Sequence, residues 1–109
     1  MNPRRVHELM LEHFPEVRPA ARDWIVAADE GGLRHEVVRD LVSRHIPADE
    51  LLVEVHRRVG DFLAVEAAFA FVAKHVGQGE IRITDRQFRG FVVVAANGVA
   101  TGWAAEKSI

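Results

Sequence analysis

After Gly77-Gln78-Gly79 the apolar residues of this 109-residue chain stop recurring at helical spacing and begin to alternate. That switch is the feature that most constrains the fold. Glu80-Ile81-Arg82-Ile83-Thr84 alternates as a half-buried strand does, and Phe91 opens a continuous apolar run through Ala95. Asn97-Gly98 then supplies the strongest short hairpin signal, a type I′ turn with positive φ at both positions, and 99–103 form the returning strand. A two-residue loop pairs Ala96 with Val99, Ala95 with Ala100, Val94 with Thr101, Val93 with Gly102 and Val92 with Trp103. One face of the hairpin is then Val92, Val94, Ala96, Val99, Thr101 and Trp103, and the other Phe91, Val93, Ala95, Ala100 and Gly102. Both faces are apolar, so helices cover both or one docks a partner. For a three-stranded sheet in a chain this short we expect cover on the Ala/Gly-rich side, leaving the Trp103 side for contact.

Upstream, the spacing predicts helices. Asn2 and Pro3 are a cap and a first-turn proline, Val6, Leu9, Met10 and Phe14 share a face, and Pro15 ends the element. A second helix is expected over 19–30, with Ala21, Trp24, Ile25 and Ala28 inward and Gly31-Gly32 as its stop, and a third over 33–45. Pro47 opens a fourth, with Asp49 and Glu50 in the first turn and Leu51, Leu52, Val55 and Val59 buried; Gly60-Asp61 breaks it. The fifth, over 62–76, is apolar nearly all round and so is expected at the centre of the fold. The fold class expected is α+β: about five N-terminal helices (1–78), a small three-stranded antiparallel β-meander (79–104) and a tail (105–109), all one domain.

Composition removes several function classes. The chain is 49% apolar and 28% charged, as ordinary globular proteins are. It has no cysteine, which excludes disulfide frameworks, thiolate metal sites and cysteine nucleophiles. Six histidines (His7, His13, His35, His45, His56, His75) never fall four apart, so no metal is expected. Ser43 and Ser108 stand in no nucleophile elbow, and Gly77-x-Gly79 precedes a strand rather than a helix, so neither catalysis nor a cofactor is indicated. The longest apolar run, 67–73, is far short of the roughly 20 residues a membrane span needs, and no signal peptide is visible. A cytosolic, non-enzymatic protein with no membrane partner is expected.

Three groups of residues stand out. Glu66 lies in the most apolar segment, where we expect it to be paired with an arginine, the other reading being a proton-transfer or partner-contact group. The segment 82–90 sets Arg82, Asp85, Arg86 and Arg89 around Phe88, and arginine and aromatics are the residue types enriched at binding hot spots. Asp49, Glu50 and Glu54 form an acidic stretch that would oppose a basic partner.

The stretch from Gly79-Glu80-Ile81-Arg82-Ile83-Thr84 to Asn97-Gly98-Val99-Ala100-Thr101-Gly102-Trp103 resembles the C-terminal halves of small bacterial immunity proteins, which neutralise polymorphic toxins including those of contact-dependent growth inhibition. The resemblance covers about a quarter of the chain and implies a cognate protein toxin as partner and a cytosolic site of action. Such proteins share no binding motif, so it assigns no site residues. The alternative reading is a small ribonuclease-like toxin or nucleic-acid binder using Arg82, Thr84, Arg86, Arg89 and Thr101 on the sheet. Over 62–109, however, five cations (Lys74, Arg82, Arg86, Arg89, Lys107) face four anions (Glu66, Glu80, Asp85, Glu106), a thin basic footprint. A homodimer joined through the sheet edge is the third arrangement considered.

Overall fold

The computed structural model describes residues 2–14, 24–29, 31–55 and 59–104. In chain order the elements are α1 (Pro3–His13), β1 (Ile25–Val26), β2 (Ala28–Asp29), β3 (Gly32–Leu33), α2 (His35–His45), β4 (Glu50–Val55), β5 (Val59–Ala64), α3 (Val65–His75), β6 (Ile81–Thr84), β7 (Gly90–Val94) and β8 (Val99–Ala104). Six strands form one antiparallel sheet in the order β1-β8-β7-β6-β4-β5, and β2 and β3 form a separate two-stranded ribbon. The fold is α+β, but not about five helices followed by a three-stranded meander. The meander is the middle of a larger sheet.

Strand alternation divides the core into two clusters. Leu51, Val53, Val55, Ile81, Ile83, Val92, Val94 and Ala100 meet α2 (Val38, Leu41, Val42) and α3 (Ala68, Phe69, Val72) on one face. Leu52, Phe91 and Val93 meet Val6, Met10 and Phe14 of α1 on the other, with Trp24, Phe62, Phe88 and Trp103 packed around them. Helices therefore cover both faces, not one, and the Trp103 side lies under Phe14 rather than open to a partner.

The departures from the sequence reading have identifiable causes. The expected fourth helix is the strand β4, whose residues Leu51 to Val55 are all buried. A strand covered on both faces loses its alternation and becomes a short apolar run that periodicity cannot distinguish from a buried helix. The expected fifth helix begins only at Val65, because 62–64 complete β5. It is peripheral rather than central: Ala67 and Ala70 are exposed. Gly60 is no helix break but the place where α1 crosses β5, since a Cβ there would lie 2.8 Å from Cγ1 of Val6. Of the expected second helix, 19–23 and Glu30 lie outside the described residues, and 24–29 carry β1 and β2, with Ile25 exposed and Ala27 buried, the reverse of a helical stripe.

The hairpin register also differs by one residue. Phe91 pairs with Trp103, Val92 with Gly102, Val93 with Thr101 and Val94 with Ala100. The loop has three residues, Ala96-Asn97-Gly98, closed by Gly98 N–H to Ala95 O (2.9 Å) and Ala95 N–H to Val99 O (2.8 Å). Only Gly98 has positive φ (+93°); Asn97 does not. This is the type I turn with a glycine bulge rather than type I′. The extra residue moves Thr101 and Trp103 onto the face of Phe91 and Val93, because a one-residue slip exchanges the faces of a strand.

Candidate binding cleft

The β6–β7 connection is a hydrogen-bonded knot built on Asp85. Its carboxylate, 2% exposed, accepts the Arg89 N–H (2.7 Å) and Arg89 Nε–H (2.6 Å), while its carbonyl accepts the Phe88 N–H (3.1 Å). The tight loop forces Phe88 to φ +54°, an uncommon region for a bulky residue. Its ring is held by stacking on His13 at 4.3 Å, beside the α1 cluster. Arg89 also donates from Nη2 to Pro47 O (2.8 Å), which lashes the loop to the 47–49 strap between α2 and β4. Gly90 completes the lock: a Cβ there would collide with the His45 carbonyl.

The pairing of β4 with β6, Leu52 opposite Thr84, together with this lashing brings together two groups that are far apart in sequence. Asp49 and Glu50, at the start of β4 rather than in a helix first turn, line one side of a cleft of about 350 Å³ whose other side is Asp85, Arg86 and Arg89, with Phe62 between. The Arg86 guanidinium lies over the Phe62 ring at 5.3 Å and has no carboxylate partner among the described residues. Asp49 and Glu50 are exposed, and their carboxylates likewise have no ion-pair partner there. Arg89 and Asp85 are spent on the loop itself. The free charges of the cleft are thus two carboxylates and one aromatic-backed arginine.

Glu54, Arg82 and Phe88 are not part of this cleft. Glu54 is 3% exposed and lies under α1, where its Oε2 is 3.0 Å from His7 Nδ1. Arg82, its cross-strand neighbour, donates Nε–H to Glu80 (2.8 Å) and places its guanidinium 5.4 Å from the Phe14 ring. Thr84 and Thr101 are buried, and Thr84 Oγ1 donates to Gly90 O (2.7 Å). The sheet therefore offers no open row of arginines and threonines.

Glu66 is paired with an arginine but is not buried. Arg39 of α2 donates Nη1–H and Nη2–H to its two carboxylate oxygens at 2.7 and 2.6 Å, with the Glu66 side chain 74% exposed. These hydrogen bonds hold the Glu66 carboxyl below its ordinary range and raise Arg39. Burial, then the charge of Arg44, lowers the His45 imidazole.

Sequence reasoning missed Phe62 and Arg39 as neighbours of the candidate residues, because it placed Phe62 in a helix. A hairpin of 50–55 with 59–64 was the available signal: once Leu51 to Val55 are a strand, Phe62 lies opposite Leu52. The two sheet edges are β1, of two residues, and β5, of six, where the Asp61 carboxylate accepts the Phe62 N–H (2.8 Å). Among the described residues no three His, Asp or Glu side chains are grouped to hold a metal, and no helix is long and apolar enough to cross a membrane. The chain matches no protein-family model, no curated protein and no solved structure.

Proposed function

We propose that this chain is a protein-binding module without chemistry of its own, an immunity protein that blocks a cognate toxin by direct contact in the cytosol. The observation that carries this reading is the convergence of Asp49, Glu50 and Arg86 on one cleft while every other nearby charge is internally paired. Free carboxylates beside an aromatic-backed arginine suit a partner with a basic surface, such as a nuclease toxin whose own site expects phosphate. Electrostatic complementarity of this kind supports fast and selective association. The same observation favours protein over nucleic acid, since Asp49 and Glu50 would repel a phosphate chain lying in the cleft.

Co-expression with the polypeptide encoded beside this chain tests the reading. The neighbour alone is expected to arrest growth, and this chain to restore it and co-purify with it. The double reversal Asp49→Lys, Glu50→Lys, checked for fold by circular dichroism, is expected to weaken the complex by about 30-fold or more, as loss of a hot spot does. Unchanged protection by that variant, or a neighbour with no effect on growth, refutes the proposal.

A further inference from the structure

We infer that the open cavity between α2 and α3 is the second half of the same surface, and that it takes an apolar side chain whose neighbouring residue in a protein partner is cationic. This rests on reading the 49–50 and 86 cleft as a protein interface. The cavity holds about 580 Å³, within the range of ligand sites, and is lined by Val42, Ser43, Ile46, Val65 and Phe69. It meets the cleft at the 47–49 strap, whose residues line both.

Two features select the occupant. The cation at the cavity rim is already engaged. Arg39 spans from α2 to Glu66 on α3 through two hydrogen bonds and lies 4.7 Å over the Phe69 ring, so beside the apolar walls it is no free charge. The charge at the exit of the cavity is negative. Arg39 is neutralised by Glu66 and Arg89 by Asp85, whereas Asp49 lines cavity and cleft alike and its carboxylate is unpaired among the described residues. An apolar side chain seated on Val42, Ile46, Val65 and Phe69 therefore leaves a neighbouring residue of its chain beside Asp49 and Glu50, where a cation is matched and an anion is repelled.

Capped dipeptides carrying phenylalanine next to arginine or next to glutamate, each in both orders, titrated into the full chain and followed by amide chemical shifts, test this without the partner. An arginine probe is expected to bind saturably at millimolar strength, shifting Val42, Ile46, Val65 and Phe69. The glutamate probe of the same order should bind about two- to fivefold more weakly, the scale of one exposed ion pair. Ser43→Trp, on an exposed wall position, should fill the cavity and abolish the shifts, and Asp49→Lys should remove the preference for the arginine probe. Absence of saturable shifts, equal binding of arginine and glutamate probes, or an Asp49→Lys variant that keeps the preference overturns the inference. So does a folded Ser43→Trp variant that still binds. The outcomes are separable from those of the toxin reading: probe binding without growth protection removes the toxin and keeps the cavity, and protection without probe binding does the reverse.

Discussion

Phe88 offers a test in which the usual order of two substitutions reverses. The residue is half-buried, stacks on His13 at 4.3 Å, and sits at φ +54° because Asp85 closes the loop around it. Removing a fully buried phenylalanine costs about 3–5 kcal/mol, so at this exposure loss of the ring should cost about 2 kcal/mol. Alanine loses the ring and keeps a Cβ in the left-handed region, where L-residues carry of order 1–3 kcal/mol of strain. Glycine loses the same ring but occupies that region freely, and its extra unfolded-state entropy costs only about 0.5–1 kcal/mol. Phe88→Gly should therefore be more stable than Phe88→Ala by about 1 kcal/mol, although glycine normally ranks below alanine. On a domain of this size that is a Tm difference of about 4 °C, readable by thermal melts of the two variants side by side. If Phe88→Ala melts at or above Phe88→Gly, the left-handed loop and the role assigned to Asp85 are wrong.

Three further outcomes are expected. Gly98→Val should cost about 1–3 kcal/mol, because it puts a β-branched side chain at φ +93°. Its Cβ would also lie 2.9 Å from the Ala28 carbonyl oxygen. Asn97→Ala should stay within about 0.5 kcal/mol; equal losses at the two positions in urea unfolding would restore the type I′ turn. Glu66→Gln should leave the melting temperature within scatter at neutral pH, since its pair with Arg39 is exposed; a large drop would mean that the pair is structural. His45 should titrate below the ordinary histidine value of about 6.5 in an NMR pH series. The sign follows from its depressed folded value. Above the unfolded pKa both states are neutral and stability is full; below it the unfolded state binds the proton first, so stability falls as pH drops further. Titration of His45 above the unfolded value refutes this.

What was legible in the sequence depended on whether a segment has one covered face or two. α1 begins at the Asn2 cap, whose Oδ1 accepts the Arg4 N–H at 2.8 Å, and one side of it stays in water, so its stripe is clean. β6 has Arg82 only partly buried and kept its alternation. β4 is different: with α1 below and α3 above it, only Glu54 interrupts the apolar run, and even that carboxylate is matched by His7 rather than by solvent. Nothing local in Glu-Leu-Leu-Val-Glu-Val separates such a strand from the face of a helix. The candidate cleft was legible only in its parts. Both Asp49-Glu50 and Arg86 were visible as unusual, but their proximity comes from the antiparallel pairing of β4 with β6, Leu52 opposite Thr84, which is hidden once 50–55 are read as a helix. It is reinforced by one long-range hydrogen bond, Arg89 to the Pro47 carbonyl across 42 positions.

The same hydrogen bond explains why the arginine-bearing loop is half framework and half surface. Of its four prominent residues, Asp85 and Arg89 hold the knot and Phe88 closes the α1 cluster, which leaves Arg86 alone to face outward. Composition therefore overstated the loop as a hot spot. The framework residues matter to binding through placement, because they fix Arg86 over Phe62 and set its distance from Asp49 and Glu50. Replacing Arg89 by lysine keeps the charge but forfeits the planar fork that reaches Asp85 and Pro47 together. In such a variant β4 and β6 stay paired while the loop loses its tie to the strap, so amide chemical shifts should move over 48–50 and 85–89 with the rest of the fold unchanged; unmoved shifts there would refute this.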